Sequence, residues 1–143
     1  MSFLQSLVEG TGQLLVTDDV GFAWRSNAGG KTPLWPVKLP DTPNRGVAIN
    51  VYDLTDDPAL ADSEKGLQFT LRSEADDVTD LWALEQQLND QLLGRYPLTL
   101  PTGVDISTLV HTSSSSPQQD EKNRWRMTVN YTALLHRPTP FRH

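Results

Sequence analysis

Near the start of the chain, apolar positions recur every three or four residues, which is the spacing of one helical face. The segment 2–16 carries this stripe at Phe3, Leu4, Leu7, Val8, Thr11, Leu14 and Leu15. Ser2 precedes the stripe and is a residue type that caps helix N-termini. Gly10 and Gly12 interrupt it, and each costs a helix about 1 kcal/mol relative to alanine. The pattern predicts an N-terminal helix that is weakened near its middle.

A second pattern, the strict alternation of apolar and polar positions, predicts three strands with one buried face each. The three strands lie at residues 47–51, 67–71 and 125–133. Residues 98–100 and 104–112 predict two further strands around a Pro-Thr-Gly turn. Proline cannot donate a hydrogen bond to a sheet ladder, so the proline-rich stretch 25–46 predicts loop, with 34–39 as a short edge strand.

The longest helical stripe lies in the segment 76–93. Its apolar residues share one helical face, which we expect Trp82 and Leu93 to widen: Val78, Leu81, Leu84, Leu88 and Leu92. Aspartates at the start suit the positive end of the helix dipole, and Gly94 followed by Pro97 predicts its end.

The order of these elements predicts an α+β fold. We expect a mostly antiparallel β-sheet packed against the long helix 76–93, with the N-terminal helix in addition. The core would form where the helical stripe meets the odd-numbered side chains of the three clearest strands. Residues 1–143 have the length of a single domain, and no linker separates two.

Composition narrows the possible function. The chain has no cysteine, which excludes a disulfide framework, a thiolate metal site and a cysteine nucleophile. Twelve basic and eighteen acidic residues give a net charge of -6, which argues against binding nucleic acid through its phosphates. No apolar run could span a bilayer and the N-terminus lacks a signal peptide's basic region, so we expect an intracellular protein without membrane contact.

No arrangement of residues predicts catalysis. His111, His136 and His143 lie outside the spacings of metal-ligand pairs. The serine run 113–116 lacks the glycine-flanked turn that exposes a nucleophilic serine. A calcium loop beginning at Asp53 would need glycine at its sixth position, which is a proline. We therefore expect no enzyme activity, no metal and no other cofactor.

Several segments nevertheless follow one another in a familiar order. After the N-terminal helix the chain reads Leu39-Pro-Asp-Thr-Pro-Asn-Arg-Gly-Val-Ala-Ile, then Tyr52 and an acidic segment ending Asp57-Pro-Ala-Leu-Ala-Asp-Ser. The strand Gly66-Leu-Gln-Phe-Thr-Leu-Arg and an aspartate-rich helix start follow, and the chain closes with Arg124-Trp-Arg, Asn130-Tyr131 and His136-Arg-Pro. From about Phe3 to Pro138 this order resembles the tail terminator and minor capsid (tail-completion) proteins of long-tailed bacteriophages, especially those infecting actinobacteria.

The resemblance implies a structural virion protein. Such proteins would form a ring, here a homo-hexamer, that ends tube polymerisation at the head-proximal end of the tail and joins the tail to the head. The implied partners are other copies of this chain, the tail tube protein and the head-completion or stopper protein, with genomic DNA passing through the lumen without specific binding. The implied locations are the head–tail junction of the virion and, during assembly, the host cytoplasm.

The candidate contact surfaces are two polar segments, 54–65 and 113–122, and the strand that follows the second. We expect both segments to be exposed loops that are mobile in the free protein and become ordered on assembly. The candidate interface residues are Asp53, Asp56, Asp57, Asp62, Glu64, Ser114, Ser115, Gln118, Gln119, Arg124 and Arg126. In the ring, Arg124 and Arg126 would pair with the acids of a neighbouring copy.

Two other interpretations stay open on the sequence alone. Another head–tail connector, such as a stopper or tail-completion protein, would share the size, the acidity and the lack of catalytic motifs. A small metal-dependent enzyme or ligand-binding domain would use the acidic segment 53–64 with a divalent metal. Titration with calcium or manganese, followed by thermal shift, would identify this last case.

Overall fold

The computed structural model describes residues 2–18, 21–56, 62–136 and 140, which together contain two helices and an eight-stranded sheet. Helix α1 spans Phe3–Asp18 and α2 spans Val78–Leu92. The strands are β1 (Phe22–Trp24), β2 (Thr32–Pro36), β3 (Gly46–Asp56), β4 (Asp62–Ala75), β5 (Leu98–Thr99), β6 (Asp105–Ser114), β7 (Gln118–Gln119) and β8 (Arg124–His136). The fold is therefore α+β, as the sequence predicts.

The sheet is mixed, and its strands lie in the order β1-β2-β3-β4-β8-β6-β5, with β7 paired to β8. The β1–β2 and β2–β3 pairs are parallel, and the other pairs are antiparallel. β4 lies in the middle, opposite β3 on one side and β8 on the other. The register of β4 therefore decides which side chains of three strands share a face.

The hydrophobic core lies between the two helices and the odd-numbered side chains of these three strands. The buried strand residues are Val47, Ile49, Leu67, Phe69, Leu71, Met127, Val129, Tyr131 and Ala133. Helix α2 covers β4 and β8 with its four buried leucines, and α1 covers β1 to β3. All of these side chains belong to one cluster. The core predicted from the two periodicities is confirmed.

The glycines of α1 make room for neighbouring side chains. The helix is continuous, and Ser2 caps it as predicted, its Oγ accepting a hydrogen bond from the Gln5 amide at 3.1 Å. A Cβ at Gly10 would overlap Thr102, and a Cβ at Gly12 would overlap the ring of Trp24. The predicted weak point is therefore wrong, because each glycine permits a close approach that offsets its poor helix propensity.

The four leucines of the predicted α2 stripe are buried, whereas Val78 is half-buried outside the core cluster and Trp82 is exposed. Asp77 caps it, with Oδ1 accepting a hydrogen bond from the Asp80 amide at 3.0 Å, and Gly94 takes the left-handed conformation expected after its end. Trp82, which was expected to widen the buried face, is 53% exposed. An aromatic residue beside an apolar stripe suggests burial, but Leu81 already occupies the inward position at this turn.

The two segments predicted as loops differ in how much strand they contain. β3 continues to Asp56 and β4 begins at Asp62, so most of 54–65 forms the two arms of a hairpin. In 113–122, the strand residues are the last two of β6 and the two of β7, so most of this segment is loop, as predicted. Most side chains in these stretches are exposed, so neither stretch carries the apolar alternation that marks a half-buried strand.

Strand β2 lies inside the sheet although it contains Pro33 and Pro36, so the predicted edge strand at 34–39 is wrong. The Arg25 amide donates to the Leu34 carbonyl, so the backbone groups of Leu34 face β1. Backbone groups alternate in direction along a strand, so those of Pro36 face the same side and those of Pro33 face β3. Pro36 faces the β1 side beyond the last β1 pair, and Pro33 precedes the first pair with β3. Each proline therefore lies where its missing amide hydrogen costs no ladder bond.

Replacing Leu88 by alanine should destabilise the protein. Leu88 is fully buried in the middle of the α2 stripe, and removing such a side chain costs about 2–5 kcal/mol of unfolding free energy. Chemical denaturation would measure this loss, with exposed Gln86→Ala on the same helix as the control. Equal unfolding midpoints for the two variants would contradict the packing of α2 on the sheet.

The substitution Gly12→Ala separates helix propensity from packing, because the two effects have opposite signs. Propensity alone would stabilise α1 by about 1 kcal/mol. Overlap with the Trp24 ring should outweigh this gain, since overpacking a fitted site costs about 1–3 kcal/mol. We expect a lower melting temperature for Gly12→Ala, with exposed Gln13→Ala unchanged or slightly higher. A stabilised Gly12→Ala protein would show that Trp24 does not pack on α1.

Candidate assembly surface

The sheet face opposite the helices carries the even-numbered side chains of β4 and β8 and their neighbours on β3 and β6, and we call it the polar face. Its middle row, Asn50, Gln68, Asn130 and Ser113, is uncharged. Gln68 Nε2 donates to Asn130 Oδ1 at 3.0 Å, and Asn130 Nδ2 donates to Ser113 Oγ at 3.1 Å. Side-chain hydrogen bonds therefore join three strands across the centre of this face.

One end of the sheet is acidic and is formed by the arms of the β3–β4 hairpin, residues 53–56 and 62–65, which we call the acidic hairpin. Asp53 forms an ion pair with Lys65, and Asp62 Oδ1 lies 2.8 Å from His136 Nδ1. Both of these carboxylates therefore have partners within their own chain.

The remaining acids of this hairpin differ in what the structure shows of them. Glu64 is exposed on the polar face, and none of the described residues forms a hydrogen bond or ion pair with its carboxylate. Asp56 ends β3, and Asp57 lies outside the described residues. Among the described acids of the acidic hairpin, Glu64 is thus the one whose placed side chain is available to another molecule.

The opposite end of the polar face carries Arg72 and Arg126, which lie opposite each other on β4 and β8. Arg72 is only 4% exposed and donates to the backbone carbonyls of Pro40 at 2.5 Å, Pro43 at 2.8 Å and Asn44 at 2.6 Å. Burial lowers the pKa of Arg72, and the positive charge of Arg126 adds to this effect. Arg72 therefore fixes the loop before β3 and has no carboxylate partner in the described chain.

Arg124 is buried beside the same loop and is occupied within its own chain. It donates to Asp120 Oδ2 at 2.9 Å and to the Asp41 carbonyl at 2.6 Å, and it is 5% exposed. Arg126, in contrast, is exposed and forms no ion pair with any described residue. Of the two arginines proposed from sequence to meet a neighbouring copy, Arg126 is the one whose guanidinium is free to do so.

A polar cavity of about 450 Å³ opens beside Arg126, and we call it the Arg126 cavity. Of the residues proposed from sequence, Ser115, Gln118, Gln119 and Arg126 line it, and Ser116, which was not proposed, completes the same wall. Asp120 and Thr128 also line the cavity; both were missed, because alternation does not show which residues of a hairpin fold back over a strand. Ser114 lies apart, with its Oγ 2.8 Å from His111 Nε2.

The acidic hairpin and the Arg126 cavity lie at opposite ends of the same face. Glu64 is opposite Leu134 on β8, and Leu134 is eight residues from Arg126 along that strand. At about 3.4 Å per residue the two positions are separated by about 27 Å. The structure therefore does not bring the predicted acids and arginine together in one chain, and any pairing between them has to join two chains.

The described residues offer neither a metal cluster nor a membrane-spanning helix. In that part of the chain, no three His, Asp or Glu side chains converge on a point that could hold a metal ion. Within the same ranges, no helix is long and apolar enough to cross a membrane.

Comparison with known proteins gives two similarities. Residues 26–137 match the family model described as bacteriophage tail terminator protein. A chain in the virion of a native gene transfer agent particle has the same fold, with a TM-score of 0.68 and 16% sequence identity over 95% of this chain and 99% of that chain. No curated protein sequence matches this chain.

The contacts around Arg124 predict a loss of stability in acid. Burial alone would raise the pKa of Asp120, but hydrogen bonds from Arg124 and Lys122 lower it below its ordinary value of 3.8, and a hydrogen bond from Lys122 lowers that of Asp41. A lowered folded-state pKa stabilises the protein above the unfolded value, and this stabilisation is lost as the pH falls through the folded value.

We therefore expect the melting temperature to decrease as the pH falls below about 4, and to decrease less in Asp120→Asn, which has already lost this ionisation. Asp120→Asn should also be less stable than the wild type at neutral pH. The matched control is Asp90→Asn on the exposed side of α2. If the melting temperatures of the wild type and Asp120→Asn decreased in parallel with pH, ionised Asp120 would not be a source of the stability lost in acid.

Proposed function

Since this chain belongs to the bacteriophage tail terminator family, we propose that it closes the head-proximal end of the tail tube as a ring of identical subunits. The family and the shared fold make it a structural tail protein of a virion. The proposed ring is a homo-hexamer that ends polymerisation of the tube protein and offers its other side to a head-completion or stopper protein. Assembly would take place in the host cytoplasm, and genomic DNA would later pass through the lumen without specific binding.

The observation that carries this proposal is the extent of the family match. Residues 26–137 include every strand from β2 to β8 and the whole of α2. The match therefore describes the complete central sheet with its covering helix, and not a short motif that unrelated proteins might share.

The separation of opposite charges along the polar face supports a ring. A ring needs a heterologous contact, in which two different patches of the same subunit meet between neighbours. The acidic hairpin, with Asp62 and Glu64, and the Arg126 cavity are two such patches with opposite charge, at opposite ends of one face. Of the contact residues proposed from sequence, Asp62 and Glu64 belong to the acidic end, and Ser115, Gln118, Gln119 and Arg126 belong to the cavity. Arg124 is occupied within its own chain, Ser114 lies outside the cavity, and Asp57 lies outside the described residues.

Removing the gene from the phage tests the function directly. A tube without its terminator should continue to polymerise, so electron microscopy should show overlong tails without heads, and supplying the wild-type chain in trans should restore normal particles. Tails of normal length with attached heads would contradict the proposal. Tails of normal length without heads would also contradict termination and would favour the alternative role of a head–tail connector.

A further inference from the structure

The exposed arginine of the polar face lacks an anionic partner. Arg126 lies opposite Arg72, and like charges in opposite positions of neighbouring strands repel each other. The nearest carboxylate lining the same cavity is Asp120, which already accepts hydrogen bonds from Arg124. A carboxylate brought from outside would relieve this repulsion and could accept two parallel hydrogen bonds from the guanidinium.

An exposed carboxylate that lacks a cationic partner among the described residues lies at the far end of the same face. Glu64 is exposed and has no partner among the described residues. At this end of the sheet β4 is paired with β8, where Glu64 lies opposite Leu134, so the carboxylate stands on a regular strand at the surface. An exposed carboxylate without a partner and a recessed site with a free cation are complementary in charge.

We propose that the acidic hairpin of one subunit docks into the Arg126 cavity of the next, with Glu64 of the first subunit pairing with Arg126 of the second. The proposal deepens the proposed function by assigning its subunit contact, and it depends on that function only in requiring that the chain assemble with itself. The two sites are about 27 Å apart in one chain, so the contact joins different subunits and propagates head to tail.

Charge favours this occupant over the phosphates of nucleic acid. The chain has a net charge of -6, which repels a polyanion at long range, whereas a single exposed carboxylate only has to reach one arginine. The hydroxyl and amide groups of Ser115, Gln118 and Thr128 beside Arg126 can donate further hydrogen bonds to a carboxylate. Exposed ion pairs are weak and are screened by salt, so this contact should require low salt or an assembled particle to persist.

A zero-length carbodiimide crosslink tests the contact, because this reagent joins a carboxylate to an amine that touches it but does not react with arginine. We expect Arg126→Lys, which keeps the charge, to give a crosslinked peptide between positions 64 and 126 in purified particles. The double variant Arg126→Lys with Glu64→Gln should lack this peptide. Isotope-labelled and unlabelled subunits, mixed before assembly, establish that the link is intermolecular.

The size of the linked products decides the geometry. Chains joined beyond the dimer through this peptide support the head-to-tail contact, whereas products that stop at the dimer overturn it in favour of a two-fold pair. The absence of the 64–126 peptide from particles that contain the variant also overturns the proposal. Linked multimers in a phage whose tails stay normal after gene removal would support the contact while rejecting the terminator function.

Charge reversal provides an independent measurement. Arg126→Glu or Glu64→Arg alone should cause loss of the protein from purified particles, and the two together should restore its incorporation. The matched controls, Lys38→Glu and Asp90→Arg, make the same charge changes at exposed positions and should leave incorporation unchanged. Normal incorporation of both single reversals would overturn the proposal, as would a defect limited to retention of DNA.

Discussion

The structure depends on the pairing of β4 with a neighbour along both of its edges. This register buries the odd-numbered side chains, among them Leu67, Phe69 and Leu71, under the helices and turns the even-numbered ones to the polar face. β4 is also long enough to reach both ends of the sheet. One end forms the acidic hairpin, and the other brings Arg72 opposite Arg126. A single register thus determines the core and the separation of charge.

At the end of the sheet that carries Arg72 and Arg124, backbone carbonyls take the place of carboxylates as partners of buried guanidinium groups. Arg72 donates to three backbone carbonyls of the segment 40–44, and Arg124 donates to a fourth in the same loop. Carbonyl oxygens that would otherwise be unsatisfied are paired in this way, while Asp120 balances the charge of Arg124. This loop includes most of the Leu-Pro-Asp-Thr-Pro-Asn-Arg-Gly stretch on which the family resemblance rested, which gives that stretch a structural role.

The sequence predicted the helices and strands that bury one face and expose the other, because their apolar residues then recur at a regular spacing. Both helices and the strands around 47–51, 67–71 and 125–133 follow this rule, since one face of each meets the core. The strand arms at 54–56 and 62–65 were missed because exposed strands carry no apolar alternation. The interior position of β2 was missed because its prolines fall where the ladders end. The candidate contact residues stay a prediction, and long-range contacts alone separate buried Arg124 from exposed Arg126.

The chain is a structural tail protein, and the assembly that we propose for it uses opposite ends of one polarised sheet face. The central claim, that this chain closes the tail tube, is tested most directly by cryo-electron microscopy of purified particles at the junction of head and tail. We predict one ring of copies of this chain, six if the ring is a hexamer, at the head-proximal end of the tube. Copies distributed along the tube, or no copies at the junction, would contradict the account.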